Sequence, residues 1–312
     1  MSTLKKLAGL MLAAAFPAAA FAAASNAIQR PTTAPHTWVS NTGQDAGLCP
    51  IAAPCATFAY AVTVTSNGGE LSVLTPGDYG PMTITRAITV DGGGFAQGLA
   101  AGSDTYFTVS AGVSEIVQIR NLTLEGVGQV YGILFNSGAQ LHLDNVKVGG
   151  FSVCLSVGTG SPATEAKELT VENSSFNNCG NSAILVEGSS SFVTKIVNTQ
   201  VHHSPTGVEV ETGTALISHS VFSGEPTVSA SSFGVVSNNS GVNVMVDDCE
   251  VSDFPIGLAS GDSAVLQVSR STISHNQTGL FRQAGGLIKS NGDNRLFENG
   301  ANGTFSSVVA LQ

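Results

Sequence analysis

A short pattern that recurs about every two dozen residues constrains the fold of this chain more than any other feature. In residues 119–124 it reads Ile-Arg-Asn-Leu-Thr-Leu, an apolar anchor followed by polar residues, a variable pair and a second apolar residue. Later copies begin at Leu143, Val171, Ile196, Ile217, Val246 and Val268, with a degenerate copy near Ile288. The intervals of 20 to 29 residues, about 24 on average, indicate a repeat architecture.

Two further elements recur in phase with the anchors. A small residue followed by a large apolar one appears at 132–133, 152–153, 183–184, 207–208, 234–235, 257–258 and 279–280. A third apolar stretch, such as 140–143 or 242–246, leads into the next anchor. Each unit therefore contains three short strands. Strands of this length cannot bury an apolar face alone, so each must pair in parallel with its counterpart one repeat away.

This spacing predicts an all-β fold, a single-stranded right-handed parallel β-helix of about ten coils with three short strands per coil. The leucine-rich consensus that a competing solenoid would need is absent, and a β-propeller would need longer repeats. Segments 71–74, 82–84, 88–90 and 107–109 are expected to form the first strands. The helix-compatible residues after Pro54 predict an N-terminal helical cap, which would cover the open end of the first coil.

The N-terminus has the three-part build of a secretory signal peptide. Lys5 and Lys6 precede an apolar run over 7–16, and small residues near 20–24 offer cleavage close to Ala23 or Ser25. We therefore divide the chain into a signal peptide (1–24), an N-terminal segment with the capping helix (25–66) and the β-helix (67–312). No other apolar stretch is long enough to cross a bilayer, so we expect an exported, secreted or periplasmic protein without a membrane span.

Charge excludes one class of partner. The net charge is −10, and loss of Lys5 and Lys6 with the leader lowers it to about −12. Nucleic acid is not an expected partner, because such binding requires Lys and Arg to neutralise phosphates. With charged residues at 11% and 36 glycines, the composition favours short strands and frequent turns. We also expect the protein to be a monomer.

The five cysteines divide into a close pair and three isolated residues. In an exported protein, Cys49 and Cys55 are expected to form a small-loop disulfide. Cys154, Cys179 and Cys249 lie in different local contexts and are expected to be buried, small hydrophobic side chains. No Cys or His cluster has the spacing of zinc ligands.

Five N-terminal segments carry a family resemblance. They are Trp38-Val-Ser, Pro54-Cys-Ala-Thr-Phe58, Gly68-Gly-Glu-Leu, Pro76-Gly-Asp-Tyr-Gly80 and Ile84-Thr-Arg-Ala-Ile88. With the repeat, they resemble bacterial secreted right-handed β-helix proteins of the pectin-lyase-like superfamily, across essentially the whole mature chain. The resemblance implies the fold and export from a Gram-negative-type bacterium. It leaves function open, because that superfamily hosts lyases, hydrolases, esterases, epimerases and adhesins.

In similar β-helices a row of stacked amides at a turn forms hydrogen bonds from coil to coil. Asn121, Asn145, Asn173 and Asn198 match such a row. Asp247-Asp248 resembles the paired aspartates of pectin-degrading glycosidases, in which one carboxyl is the acid and the other activates water. The accompanying motifs of that family are missing, and Asp248 falls on the amide row. Asp247 is nevertheless a catalytic candidate.

A second group of candidates comes from the phase of the repeat. Glu187 and Glu211 fall on equivalent positions of adjacent coils, and Glu209 lies between them in sequence. Two carboxylates about 5 Å apart repel by roughly 1 kcal/mol in water and about 3 kcal/mol at an effective dielectric of 20. Glu187 and Glu211 therefore predict a raised pKa or a bound calcium ion, unless they splay into solvent. His202 and His203 could supply a neutral base beside this acidic surface, or be an ordinary solvent-facing pair.

The remaining features bear on lyase and adhesin functions. The basic residues Lys147, Lys195, Arg270 and Arg282 do not share a row, and the negative charge would repel a uronate polymer; both observations count against a lyase. The residues two beyond the small position form a mostly apolar outer row, interrupted by Glu209. They are Leu134, Cys154, Leu185, Val236, Ala259 and Phe281. Such a row is an interaction surface if exposed and a second packing layer if covered.

These observations predict a non-catalytic binding or structural protein of the cell envelope, associated with surface or extracellular polysaccharide. The first alternative is a polysaccharide hydrolase or lyase that uses the acidic surface. The second is an adhesin-like protein that uses the apolar row. No cofactor is expected apart from the calcium candidate.

Overall fold

The structure is a computed structural model that describes residues 32–99, 104–158, 165–225 and 231–309. These residues all belong to one compact unit that begins at Thr32. The predicted signal peptide and its cleavage site lie outside the described residues.

Within those ranges the chain forms one short helix, α1 (Phe58–Val64), and 27 strands. The strands are β1 (Ala34–Val39), β2 (Thr65–Val73), β3 (Met82–Ile84), β4 (Ile88–Leu99), β5 (Thr105–Ser110), β6 (Ile116–Glu125), β7 (Tyr131–Asp144), β8 (Lys147–Gly149), β9 (Val153–Val157), β10 (Glu165–Glu172), β11 (Ser175–Asn177), β12 (Ser182–Val186), β13 (Val193–Val197), β14 (Gln200–His202), β15 (Thr206–Val210), β16 (Thr214–Ser218), β17 (Val221–Ser223), β18 (Phe233–Ser237), β19 (Asn243–Asp247), β20 (Glu250–Ser252), β21 (Ile256–Ser260), β22 (Val265–Ser269), β23 (Thr272–Ser274), β24 (Thr278–Arg282), β25 (Leu287–Ser290), β26 (Arg295–Phe297) and β27 (Ser307–Val308).

The strands stack in three parallel columns. Column A contains β1, β2, the first parts of β4 and β6, the last part of β7, and β10, β13, β16, β19, β22, β25 and β27. Column B contains the last parts of β4 and β6, and β8, β11, β14, β17, β20, β23 and β26. Column C contains β3, β5, the first part of β7, and β9, β12, β15, β18, β21 and β24.

The chain is thus an all-β parallel solenoid of about eight turns, fewer than the ten coils expected. The difference lies at the two ends. No described strand of column B separates β2 from β3. At the other end, column C continues beyond β24 only as an isolated bridge between Thr278 and Ala301. The apolar sequence pattern does not distinguish these incomplete turns from complete coils, so the predicted number of coils is too high.

The predicted register of the anchors is that of column A. Leu143 pairs with Val171 and Val171 with Ile196, and all three side chains are completely buried. The prediction fails at the last anchor, because Val268 pairs with Ser290 and not with Ile288. It also fails at 152–153, where the residue in register with Ile133 and Ile184 is Leu155.

The amide row marks the bend between columns A and B. Asn121, Asn145, Asn173 and Asn198 have φ values of 52°, 52°, 51° and 48°, a left-handed conformation that asparagine tolerates better than most residues. Asn145 donates to Asn121 Oδ1 at 2.9 Å, and Asn198 donates to Asn173 Oδ1 at 2.7 Å. The ladder is interrupted in the middle, because Asn173 donates instead to Asp144 Oδ1 at 2.8 Å.

A second polar ladder lies inside the same bend. The hydroxyl oxygens of Ser174 and Ser220 each accept a hydrogen bond from a backbone N–H of the preceding coil, at Val146 and Thr199, at 3.1 Å. Ser271 accepts from Cys249 in the same way at 3.1 Å. These bonds satisfy buried backbone donors that the bend removes from the strand ladder.

Two disulfides are present. Cys49 bonds to Cys55, and Cys154 bonds to Cys179. The interpretation of Cys154 and Cys179 as isolated hydrophobic side chains was wrong. Cys154 lies in β9, and Cys179 lies 25 residues later in the bend before β12 on the next coil, with the two Cα atoms 5.7 Å apart. Cys249 is a buried free thiol, and burial raises its pKa to about 11.

The short helix α1 lies among the first strands. Thr57 is its N-cap and accepts a hydrogen bond from the Tyr60 N–H at 3.1 Å. Phe58 is buried, with its ring centroid 5.3 Å from that of Tyr79 and 5.5 Å from that of Phe107. In the described ranges no helix has the length and apolar character needed to span a membrane. The two disulfides suggest an extracytoplasmic setting.

Candidate functional site

The predicted stacking of Glu187 on Glu211 is present on column C. Val186 pairs with Val210, and each of these valines is followed by a glutamate. The Glu211 N–H donates to Val186 O at 2.9 Å. Glu209 pairs with Leu185 on the outer face of the same column. Three carboxylates therefore lie on two adjacent coils, which are about 4.8 Å apart.

Their surroundings favour the protonated forms. Burial raises the pKa of Glu209, and the neighbouring charges of Glu211 and Glu187 raise it further, although Ser182 donates a hydrogen bond to its Oε2 at 3.3 Å. Burial also raises the pKa of Glu187, with a second contribution from Glu211. Such carboxyls can hold a proton to a higher pH than usual, or attract a cation.

The calcium candidate remains a prediction. Across 32–99, 104–158, 165–225 and 231–309, no group of three or more His, Cys, Asp or Glu side chains has the geometry to hold a metal ion. Glu187 and Glu211 would need ligands besides protein carboxylates, such as water or a saccharide hydroxyl.

His202 and His203 lie on column B, in an open groove of about 580 Å³. We call this feature the polar groove. Its lining consists of Thr123, Leu124, Glu125, Gly126, Lys147, Val148, Gly149, Gly150, Asn177, Asn178, His202 and His203. The two imidazole centroids are 6.5 Å apart. Burial lowers the pKa of His202, and the nearby His203 lowers it further, so His202 is neutral at pH 7.

A gap in a ladder of side chains creates the polar groove. Glu125 pairs with Gly149, Gly149 with Asn177, and Asn177 with His202, so these four residues form one row on successive coils. The residues that follow them form a second row, Gly126, Gly150, Asn178 and His203. The first row lacks a side chain at Gly149 and the second row at Gly126 and Gly150, and the bare backbone there forms the floor.

Close backbone packing requires those glycines. Gly150 has φ of 77°, and a Cβ there would lie 2.2 Å from Gly126 O. A Cβ on Gly149 would lie 2.6 Å from Asn177 O. Sequence reasoning missed this groove, although the Gly149-Gly150 pair beside Asn177-Asn178 and His202-His203 at one-repeat spacing was a usable signal.

The histidines and the glutamates lie on different columns. The polar groove contains none of the three glutamates, because His202 ends a strand of column B while Glu187, Glu209 and Glu211 lie on column C. A histidine base beside the acidic surface therefore stays a prediction.

Asp247 and Asp248 face different partners. Arg270 forms an ion pair with Asp247, and the other carboxylate oxygen of Asp247, Oδ1, is buried with no hydrogen-bond partner. Asp248 takes the left-handed position of the amide row, with φ of 52°, and lies 3.4 Å from His219 Nε2. A catalytic role for Asp247 stays a prediction.

The predicted outer row is partly covered. Its observed members, in register, are Leu134, Ser156, Leu185, Glu209, Val236, Ala259 and Phe281. Ser156 takes the place assigned to Cys154, which forms the disulfide instead. Val236 and Ala259 are 2% and 3% exposed, whereas Phe281 is 38% exposed. Leu134, Leu185 and Glu209 are half-buried, so the row is neither one continuous exposed apolar surface nor a complete second packing layer.

Comparisons with known proteins agree with this architecture. Residues 161–307 match a family model described as "Right handed beta helix region". The fold is similar to a solved structure titled "Crystal structure of pectate lyase Pel9A", with a TM-score of 0.57 and 16% sequence identity over 89% of this chain and 72% of that chain. No curated protein matches the sequence. The chain is a β-helix protein with a distant structural similarity to a pectate lyase, and the similarity concerns the fold alone.

Proposed function

We propose that this is an exported, monomeric β-helix protein of the cell envelope that binds polysaccharide without cleaving it, through the polar groove. One observation carries the proposal. Amide, imidazole, ammonium and carboxylate groups surround a floor of bare backbone in a groove that is open to solvent.

These groups suit a saccharide. Asn177 and Asn178 offer both donors and acceptors, Lys147 only donors, and Glu125 only acceptors, so the alternating hydroxyls of a sugar find complementary partners. A neutral His202 can donate from one ring nitrogen and accept at the other. An open groove also lets a polymer enter and leave at both ends, which an enclosed pocket would prevent.

A glycan array tests the proposal with the purified mature protein. We expect retention of one polysaccharide class, weaker binding in His202→Ala, and unchanged binding in Ser252→Ala. Ser252 occupies the same row of column B outside the groove, so it is a matched control. Far-UV circular dichroism should show that both variants are folded. Silence across the array, or equal binding by His202→Ala, would refute this function.

The acidic surface supports a second candidate, polysaccharide hydrolysis or elimination. The observation in its favour is the raised pKa of Glu209 and Glu187 beside Glu211. A polysaccharide panel, assayed for reducing ends and unsaturated products with and without calcium, tests it. Activity that is lost in Glu211→Gln would establish this candidate. Binding in the polar groove with no product formed would contradict it.

We also propose that α1 caps the N-terminal end of the solenoid. Its buried residues Phe58 and Ala61 support this role, because they face the first strands. A cap of this kind would prevent end-to-end association of the open strands. Phe58→Asp should therefore produce oligomers detectable by light scattering.

A further inference from the structure

We infer that the polysaccharide lies along the solenoid axis, with about one sugar unit for each coil of the polar groove. This inference rests on the proposed function and adds the direction and length of the bound segment. The row Glu125, Gly149, Asn177 and His202 spans four successive coils. At about 4.8 Å per coil, the row is about 14 Å long.

The direction follows from the shape of column B. Across the axis, β8, β11 and β14 are each three residues long, and the chain then bends away. The bend residues Asn178 and His203 have φ of 53° and 52°, which ends the flat surface. A ligand that crossed the coils would leave the surface within one strand. A ligand along the axis would meet a new pair of side chains or bare backbone at every coil.

The length follows from what ends the row. After His202, the next residues in register are Ser223, Ser252 and Ser274, whose short side chains lie outside the groove. His202 and His203 are therefore the last groove-lining residues at one end. Glu125 stands at the other end, where its carboxylate can accept hydrogen bonds from sugar hydroxyls. Between them Gly149 and Gly150 leave room for a sugar ring to approach the backbone.

Chain-length dependence of binding tests the inference. The probes are β-1,4-linked glucose oligomers and β-1,4-linked N-acetylglucosamine oligomers of two to six units, titrated by calorimetry. In the series that binds, we expect Kd to fall by roughly fivefold for each unit up to four, as one net hydrogen bond per unit would give. Five and six units should bind no more tightly than four.

A variant at one end of the row adds a sharper readout. His202→Ala should move the plateau from four units to three and leave the shorter oligomers unaffected, whereas Ser252→Ala should leave the whole series unchanged. Binding without length dependence, or equal weakening of all lengths by His202→Ala, would overturn the axial placement while leaving the binding function intact. Absence of binding in both series together with a silent array would overturn the binding function itself.

Discussion

The disulfide between Cys154 and Cys179 should stabilise the solenoid more than the one between Cys49 and Cys55. The first closes a loop of 25 residues and the second a loop of 6. In the chain-entropy description, closing these loops raises the free energy of unfolding by about 3.5 and about 2 kcal/mol, respectively. All four cysteines are almost fully buried, so replacement by alanine leaves space in the packed interior in both cases, and the difference between the disulfides comes from loop length.

Urea unfolding at pH 7 without reductant measures both contributions. We expect the double variant Cys154→Ala/Cys179→Ala to lose about 3.5 kcal/mol of unfolding free energy, and Cys49→Ala/Cys55→Ala about 2 kcal/mol. An unchanged m-value would show that both variants still unfold as one unit. A loss below about 1 kcal/mol in the first variant, or a larger loss in the second, would refute this reasoning.

Three further predictions concern single residues. Asn198→Ala should cost about 2 kcal/mol in the same assay, because alanine tolerates its φ of 48° poorly and the bond to Asn173 is lost, and Asn198→Gly should cost less. Glu209→Gln should raise the urea midpoint at pH 7. Because the pKa of Glu209 is raised in the folded state, its ionised form opposes folding. The difference in urea midpoint between Glu209→Gln and the unmodified protein should therefore vanish as the pH falls below the ordinary glutamate range and return as the pH rises. Cys249 should not react with a thiol reagent at pH 8 in the folded protein, and should react once per chain in urea, since its thiol is buried with a pKa of about 11.

Much of the fold could be predicted because one physical requirement repeats along the chain. An apolar residue such as Val171 must face the interior on every coil, and a residue such as Asn173 must adopt a left-handed bend two positions later. Both requirements are local, so they appear in sequence at the spacing of the coils. The stacking of Glu187 on Glu211 followed from the same phase.

Other features could not be predicted because they depend on exact register or on a different column. The pattern of a small and then an apolar residue fits both 152–153 and 154–155, and only the pairing of Leu155 with Ile133 and Ile184 decides between them. His202 and Glu211 are close in sequence but lie on different columns, which a one-dimensional repeat does not distinguish.

The sequence by itself determined the repeat, the parallel stacking and the polar bend, because each depends on which residue types avoid water or tolerate an unusual backbone angle. Only the tertiary structure decided that the polar groove exists, that the histidines and the glutamates lie on different columns, and which residues of the outer row are buried. These features depend on distances between segments from different coils. Missing side chains, as at Gly149 and Gly150, leave a cavity only where neighbouring side chains project beyond the backbone.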